Sequence, residues 1–363
     1  MTDEEFMRKA IKLAMKGEGW TNPNPKVGAV IVKNGEIIGE GYHQKYGELH
    51  AERNAIASLT EEAEGATLYV TLEPCCHYGK TPPCTDAILK SGIKRVVIGS
   101  RDPNPKVSGK GVAILRNSGL IVEEDFMKKE CDEINPVFFH FIEKHTPYVV
   151  MKFAMTVDGK IATKTGASKW ITGQKSRIEV QKMRNRYMGI MVGIGTVLTD
   201  DPMLNTRFEG MKSPIRIVCD SNLRIPLDSK ICRSAYNYKT IVVCTKDNDE
   251  KRNKLELLGV EVLKVPDENG EIDLNKLMII LGEKNIDSIL LEGGGTLNYS
   301  ALKAGIVNEL WTFISPKIFG GIGAKTPVEG IGAEIPSEAV MLKYDSTELI
   351  DEDLLIKYKV RRP

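Results

Sequence analysis

His50-Ala51-Glu52 and Glu73-Pro74-Cys75-Cys76-His77-Tyr78-Gly79-Lys80-Thr81-Pro82-Pro83-Cys84 decide the reading of the first half of the chain. The first stretch opens a predicted helix over about 50–59. The second runs from the end of a predicted strand, 66–72, to a predicted helix at about 85–90. Working outward, Thr2 with Glu5 three residues later has the form of a capping box ahead of Phe6, Ala10, Leu13 and Ala14 at helical spacing. Asn34-Gly35 is a hairpin signal between strands at 27–32 and 36–42. A further strand at 95–98 and a helix at about 111–117 follow. Strands alternating with helices predict a layered α/β fold with a hairpin edge.

The residue types in those two stretches suit a metal. Catalytic zinc takes three protein ligands and leaves a position for water, whose pKa it lowers toward neutrality. One imidazole and two thiolates meet that need, and a carboxylate outside the ligand set must move protons. Glu52 is placed for this. Positions i and i+2 do not share a helix face, so the pair works best in the first turn. His-x-Glu followed by Pro-Cys and a second cysteine is the zinc deaminase signature, but its usual Cys-x-x-Cys is opened here to eight intervening residues. Spacing alone leaves Cys76 and His77 as rival ligands. The plain alternatives are unrelated thiols with a surface histidine, or a structural zinc, which takes four ligands and has no use for Glu52.

The segment 138–146 is aromatic and mixed in charge, Pro147 follows, and all five histidines (43, 50, 77, 140, 145) precede it. The domain joint is expected there. Beyond it, strands are predicted at 148–155, 189–192, 215–220, 240–245, 288–292 and 309–314. A charged helix is expected at 174–186, and a closing antiparallel pair at 341–344 and 354–360. Gly293-Gly294-Gly295-Thr296 lies between a strand and a helix, where glycines allow close approach and free N–H groups favour phosphate. It matches neither the dinucleotide fingerprint nor the Walker pattern.

Composition bounds the answer. A length of 363 residues suggests about two domains. Lysine plus arginine (50) balance aspartate plus glutamate (49), which argues against a protein built to neutralise nucleic-acid phosphates. The acidic start lacks a secretory layout, and no apolar run approaches the ~20 residues of a membrane span, so a cytoplasmic protein without a membrane partner is expected. Seven scattered cysteines do not form a disulfide framework.

The expanded Glu73–Cys84 stretch, Asn22-Pro-Asn-Pro-Lys-Val-Gly28, His50-Ala-Glu52 and Asp102-Pro-Asn-Pro-Lys-Val107 resemble the bifunctional riboflavin-biosynthesis deaminase-reductases. Stretches 151–162, 193–202 and 290–296 resemble that family's second half, so the likeness covers nearly the whole chain. It implies two three-layer α/β domains: a cytidine-deaminase-like domain over 1–145 and a dihydrofolate-reductase-like domain over 146–363. The implied first reaction is removal of the 2-amino group from a diamino-pyrimidinone ribosylamine 5′-phosphate. One zinc would sit on His50, Cys75 and Cys84, with Glu52 protonating the departing ammonia. Asn24, His77, Lys80 and Asn104 would hold this substrate. The implied second reaction reduces the ribose to a ribityl chain with NADPH. Ala154, Trp170, Thr196, Asp200, Gly294, Gly295, Thr296, Leu297, Asn298, Tyr299 and Ser300 would contact the cofactor. Ser168, Arg184, Leu204, Arg207 and Glu292 would surround the substrate. We add Lys152 and Asp200 as groups orienting substrate or moving a proton, and Ser221 and Arg224 as readers of the NADPH 2′-phosphate. The family likeness is compatible with a homo-oligomer.

Two other classes fit the sequence less well. A nucleic-acid base deaminase fused to a nucleotide-binding domain needs a basic, aromatic strand-binding surface; aromatics are 6% and no Lys/Arg run occurs. A regulatory protein with a dead site is opposed by intact Glu52 and a complete ligand set.

Overall fold

The computed structural model describes residues 1–78, 82–104, 107–246, 248–266 and 270–361. The chain divides into two compact units, Met1–His145 and Thr146–Pro363. Among the described residues no helix is long and apolar enough to cross a membrane.

The first unit contains α1 (Asp3–Met15), β1 (Gly28–Lys33), β2 (Glu36–Tyr42), α2 (Ala51–Ala57), β3 (Thr67–Leu72), α3 (Cys84–Lys90), β4 (Arg95–Ser100), α4 (Lys110–Asn117), β5 (Ile121–Glu123), α5 (Lys128–Glu133) and α6 (Pro136–Lys144). The capping box forms: Thr2 N donates to Glu5 Oε2 at 2.8 Å and Glu5 N to Thr2 Oγ1 at 3.4 Å. Asn34 and Gly35 both have positive φ (52° and 81°), as a tight type I′ hairpin requires. The sheet order is β2-β1-β3-β4-β5; β1 is antiparallel to both neighbours and the remaining pairs are parallel. Alternate side chains of each strand go to opposite faces. Ala29, Ile31, Leu68, Val70, Val96 and Ile98 pack against residues of α2, α3, α4 and α6. Val30, Val32, Tyr69 and Val97 pack against α1 and Cys131 of α5. The result is three layers. Most of the aromatic run at 138–146 is α6, whose Phe138 is buried in this core.

The second unit contains β6 (Tyr148–Thr156), α7 (Gln174–Arg186), β7 (Gly189–Gly193), α8 (Ile194–Asp200), β8 (Ile215–Cys219), α9 (Lys230–Arg233), β9 (Thr240–Cys244), α10 (Asp249–Glu256), β10 (Val260–Lys264), α11 (Leu274–Glu283), β11 (Ser288–Leu291), α12 (Gly295–Lys303), β12 (Val307–Ser315), β13 (Leu342–Ile350) and β14 (Asp353–Val360). Its sheet runs β10-β9-β8-β7-β11-β6-β12-β14-β13, parallel through β12 and antiparallel in the closing pair. Parallel strands must be covered on both faces. Met191, Ile217, Ile241 and Ile289 enter one core, and Ile190, Val192, Val218 and Val242 enter the other. Both units are therefore α/β with a covered sheet.

Candidate active sites

The first site lies where the carboxyl end of β3 meets the start of α2. Gly41 on β2 lets α2 pack hard against the sheet: a Cβ there would meet Ala55 N at 2.3 Å and Ala51 O at 2.4 Å. His50 is the N-cap of α2 and makes no side-chain cap bond, so its ring is free for other work. Arg53, one turn on, donates to the carbonyls of Pro82 and Pro83 at 3.2 and 2.8 Å, which ties α2 to the segment entering Cys84. Cys84 N in turn donates to Cys75 O at 3.0 Å.

His50 Nδ1 consequently lies 3.4 Å from Cys75 Sγ and 3.4 Å from Cys84 Sγ. Tetrahedral zinc with ordinary Zn–N and Zn–S bonds separates such atoms by about 3.6 Å. His50, Cys75 and Cys84 form the one group of this kind among the described residues, and Cys76 and His77 are not in it. The donor set fits zinc. Hydrogen bonds from Cys84 and His50 hold the Cys75 thiol well below its usual range, and the Cys75 sulfur pushes Cys84 up. Binding a dication requires both as thiolates. Glu52 is buried behind the ligands, bonded to the Cys84 thiol; burial first, then the Cys75 charge, pushes its carboxyl up to about 7 against the opposing pull of His50.

A cavity of about 250 Å³ opens onto this group, lined by Asn24, His43, Glu52, His77, Asp102 and Asn104 among others. The asparagines of the two Pro-Asn-Pro motifs, Asn24 and Asn104, therefore reach one cavity. The first is held by Asn135, which accepts from Lys26 N and donates to Lys26 O, both at 2.8 Å. The resemblance assigns Lys80 to this site; it lies outside the described residues.

The sequence reading gives three residues here no site role, His43 being read as an ordinary structural histidine. His43 is buried, kept neutral first by burial; its Nδ1 donates to Leu49 O at 3.0 Å and its Nε2 accepts from Asn24 Nδ2 at 3.2 Å, fixing that amide. Asp102 lines the cavity with its carboxyl pushed up to about 6, chiefly by burial. Its position, opening the second Pro-Asn-Pro turn, was the available signal. Glu73 is buried and accepts from Gly109 N at 3.1 Å and Val112 N at 3.4 Å, capping α4 from 36 and 39 residues away. No local pattern announces such a cap.

In the second unit a cavity of about 680 Å³ opens where β7, β8 and β11 end. That is where open parallel sheets bind ligands. Ser168, Thr196, Asp200, Ser221 and Glu292 line it. So do Gly294, Gly295, Thr296, Leu297 and Ser300, from the cap and first turns of α12. The first N–H groups of that helix have no intrahelical acceptor, which suits an anion.

Other expected residues sit elsewhere. Ala154 lies within β6 beside Phe313, and Leu204 is buried in the core. Arg207 lines a separate, shallow depression with Phe208 and Tyr238. Trp170 is 57% exposed, with the Arg177 guanidinium 4.5 Å from its ring centre. Asn298 donates to Pro327 O at 2.7 Å and Tyr299 Oη to Gly332 O at 3.3 Å, so both hold a loop and neither is on the cavity wall. Arg184 grips Glu292 through two 2.8 Å bonds and donates to Asn205 O at 3.1 Å. Lys152 is half-buried beside this pair; desolvation lowers its pKa and Glu292 opposes that. Arg224, Lys325 and Glu329 also line the cavity.

Residues 1–100 match the cytidine and deoxycytidylate deaminase zinc-binding region, and residues 147–356 match the RibD C-terminal domain. A riboflavin biosynthesis protein RibD from Actinobacillus pleuropneumoniae is 55% identical, over 100% of this chain and 96% of the relative. One from Aquifex aeolicus is 44% identical over 98% of each. Among solved structures, a diaminohydroxyphosphoribosylaminopyrimidine deaminase/5-amino-6-(5-phosphoribosylamino)uracil reductase from Thermotoga maritima superposes with TM-score 0.87 at 39% identity, covering 99% of this chain and 98% of that one. Acinetobacter baumannii RibD gives TM-score 0.90 at 36% identity, covering 99% of each.

Proposed function

The chain belongs to the RibD family of bifunctional riboflavin-biosynthesis deaminase-reductases, and from that premise we propose the substrate, cofactors and residue roles of each unit. The first unit removes the 2-amino group of 2,5-diamino-6-ribosylamino-4(3H)-pyrimidinone 5′-phosphate. The second reduces the ribosyl group of the product to ribityl with NADPH. The observation carrying this reading is His50 Nδ1 set 3.4 Å from both cysteine sulfurs, with buried Glu52 beside them.

His50, Cys75 and Cys84 hold one zinc, which supplies a water of near-neutral acidity when bound. Glu52 takes the proton from the attacking water and returns it to the leaving nitrogen, so water plus amine becomes carbonyl plus ammonia. Asn24, oriented by His43, presents a fixed amide to the pyrimidine, and Asn104 and His77 face the same cavity.

In the second unit NADPH supplies the hydride. The start of α12 receives its diphosphate, with Thr196 and Ser300 on the same wall. Cofactor choice rests on the end of β8. Asp220, which would suit a ribose 2′-hydroxyl, turns inward and accepts from Ile225 N at 2.7 Å. Ser221 and Arg224 face the cavity in its place, a hydroxyl and a cation suited to a 2′-phosphate. Ser168 and Asp200 line the same cavity, a hydroxyl and a carboxylate able to orient the ribosyl group. Arg184 orients Glu292 toward the cavity and does not itself present a free guanidinium.

A two-stage assay of Glu52→Gln tests the proposal. The variant is expected to keep its zinc, lose ammonia release by roughly 10²–10⁴-fold, and still oxidise NADPH with pre-deaminated substrate. Normal deamination by the variant would remove Glu52 from the proton path. For the cofactor, Arg224→Ala is expected to raise KM for NADPH about tenfold while leaving that for NADH nearly unchanged; an equal effect on both would remove Arg224 from 2′-phosphate recognition.

A further inference from the structure

The loop 326–332 is fastened to α12 at four points. Asn298 Nδ2 donates to Pro327 O at 2.7 Å, Glu329 N to Gly295 O at 3.1 Å, and Tyr299 Oη to Gly332 O at 3.3 Å. Gly330 lies flat on the Tyr299 ring, so close that a Cβ would approach it to 2.4 Å. This fastening accounts for the positions of Asn298 and Tyr299. Its product is a fixed Glu329. The side chain lies across the first turn of α12, with Cγ, Cδ and Oε2 at 2.7, 2.9 and 3.0 Å from where a Cβ of residue 295 would stand. Glycine at 295 is what makes room for it.

Glu329 forms part of the wall of the 680 Å³ cavity beside Gly294, Gly295 and Thr296. Among the described residues its carboxylate makes no hydrogen bond or ion pair, although its backbone is held. It lies against Gly295, the first residue of α12, in the turn whose N–H groups have no intrahelical acceptor. A carboxylate accepts and does not donate. A ligand seated here must therefore offer it a donor, such as a hydroxyl, and keep its phosphates on the helix end. A dinucleotide carries a ribose, with its hydroxyls, on each side of its diphosphate.

We propose that Glu329 accepts a hydrogen bond from a ribose hydroxyl of the cofactor and thereby sets its register on α12. This rests on the cofactor reading of the cavity given above. It adds a binding residue outside the glycine turn, supplied by the loop between β12 and β13.

Binding is measured on the full-length, zinc-loaded protein by NADPH fluorescence and by calorimetry with 2′,5′-ADP, reduced nicotinamide mononucleotide and inorganic diphosphate. Glu329→Gln is expected to weaken NADPH at least fivefold and to weaken one mononucleotide fragment by a similar factor. The other fragment and diphosphate should bind as to wild type. The affected fragment identifies the ribose. Tighter NADPH and diphosphate binding by the variant would mean that Glu329 merely repels phosphate, and would overturn the inference. Equal loss for every probe would mean a collapsed loop and would overturn it too; Glu329→Asp, which keeps the charge but shortens the reach, should then lose as much. Wild-type protein that binds no NADPH would instead remove the cofactor reading itself.

Discussion

Glu292 sits among two cations, and its environment has a consequence that can be read in acid. Burial alone would raise its carboxyl, but the Arg184 guanidinium, then Lys152, outweigh it and hold it at about 2, against 4.5 in the unfolded chain. A depressed carboxyl stabilises the fold fully above the unfolded value, and that stabilisation is lost as pH falls from about 4.5 through about 2. The linked stability is on the order of 3 kcal/mol. We expect urea midpoints of the second unit to fall steeply between pH 4.5 and 2.5 in wild type. Glu292→Gln should start lower at pH 7, since it leaves Arg184 buried without its partner, and should show a flatter acid limb. An acid limb of unchanged slope would show that other carboxylates govern it. At this scale the sequence was informative about which side chains gather, because His50, Cys75 and Cys84 at ends of elements have few other uses together. It was poor at telling a free arginine from a paired one. Arg184 on a charged helix looks available, and only its 108-residue reach to Glu292 shows otherwise.

Among the elements, α2 carries Glu52 and is capped by His50, so its seat on the sheet sets the first site. Gly41 is the seat. Gly41→Ala puts a methyl group within 2.5 Å of α2 backbone atoms, which cannot yield as a flexible side chain would. Overpacking of this kind costs about 1–3 kcal/mol. The displaced helix should also weaken zinc by roughly tenfold, read by competition with a coloured chelator. Zinc affinity equal to wild type would mean that α2 shifts without moving its first turn. The elements legible beforehand were those with a strong local signal: the capped α1, the Asn-Gly hairpin, the apolar parallel strands, and the closing pair. Three elements the sequence reading did not mark bury little. β5 is three residues with none fully buried, β10 buries only Val260, and α5 is a charged hexamer anchored by Cys131. Their partners are distant in sequence, so periodicity has nothing to register. The α4 cap is the same case, since Glu73 arrives from another strand.

At the scale of the whole molecule, each unit owns its hydrophobic cores. Two clusters draw only on residues 6–142 and two only on residues 149–360. The His50, Cys75 and Cys84 group draws on the N-cap of α2, the turn after β3 and the start of α3, all within the first unit. Family resemblance supplied the chemistry of both halves from the chain alone, whereas the walls of the second cavity needed the folded sheet, since they gather residues from 161 to 329. Two separate cores and a metal confined to one of them predict a separable response to metal removal. Zinc binds the folded first unit with its ligands deprotonated, so its free energy adds to that unit's stability alone. Chelation of the intact protein should abolish ammonia release and lower the melting temperature of one of two calorimetric transitions. The second transition, and NADPH oxidation with pre-deaminated substrate, should stay within error of the untreated protein. Added zinc should restore the first transition and the ammonia release together. If chelation shifts both transitions or halts NADPH oxidation, the units are coupled energetically and the two reactions are not independent of one metal.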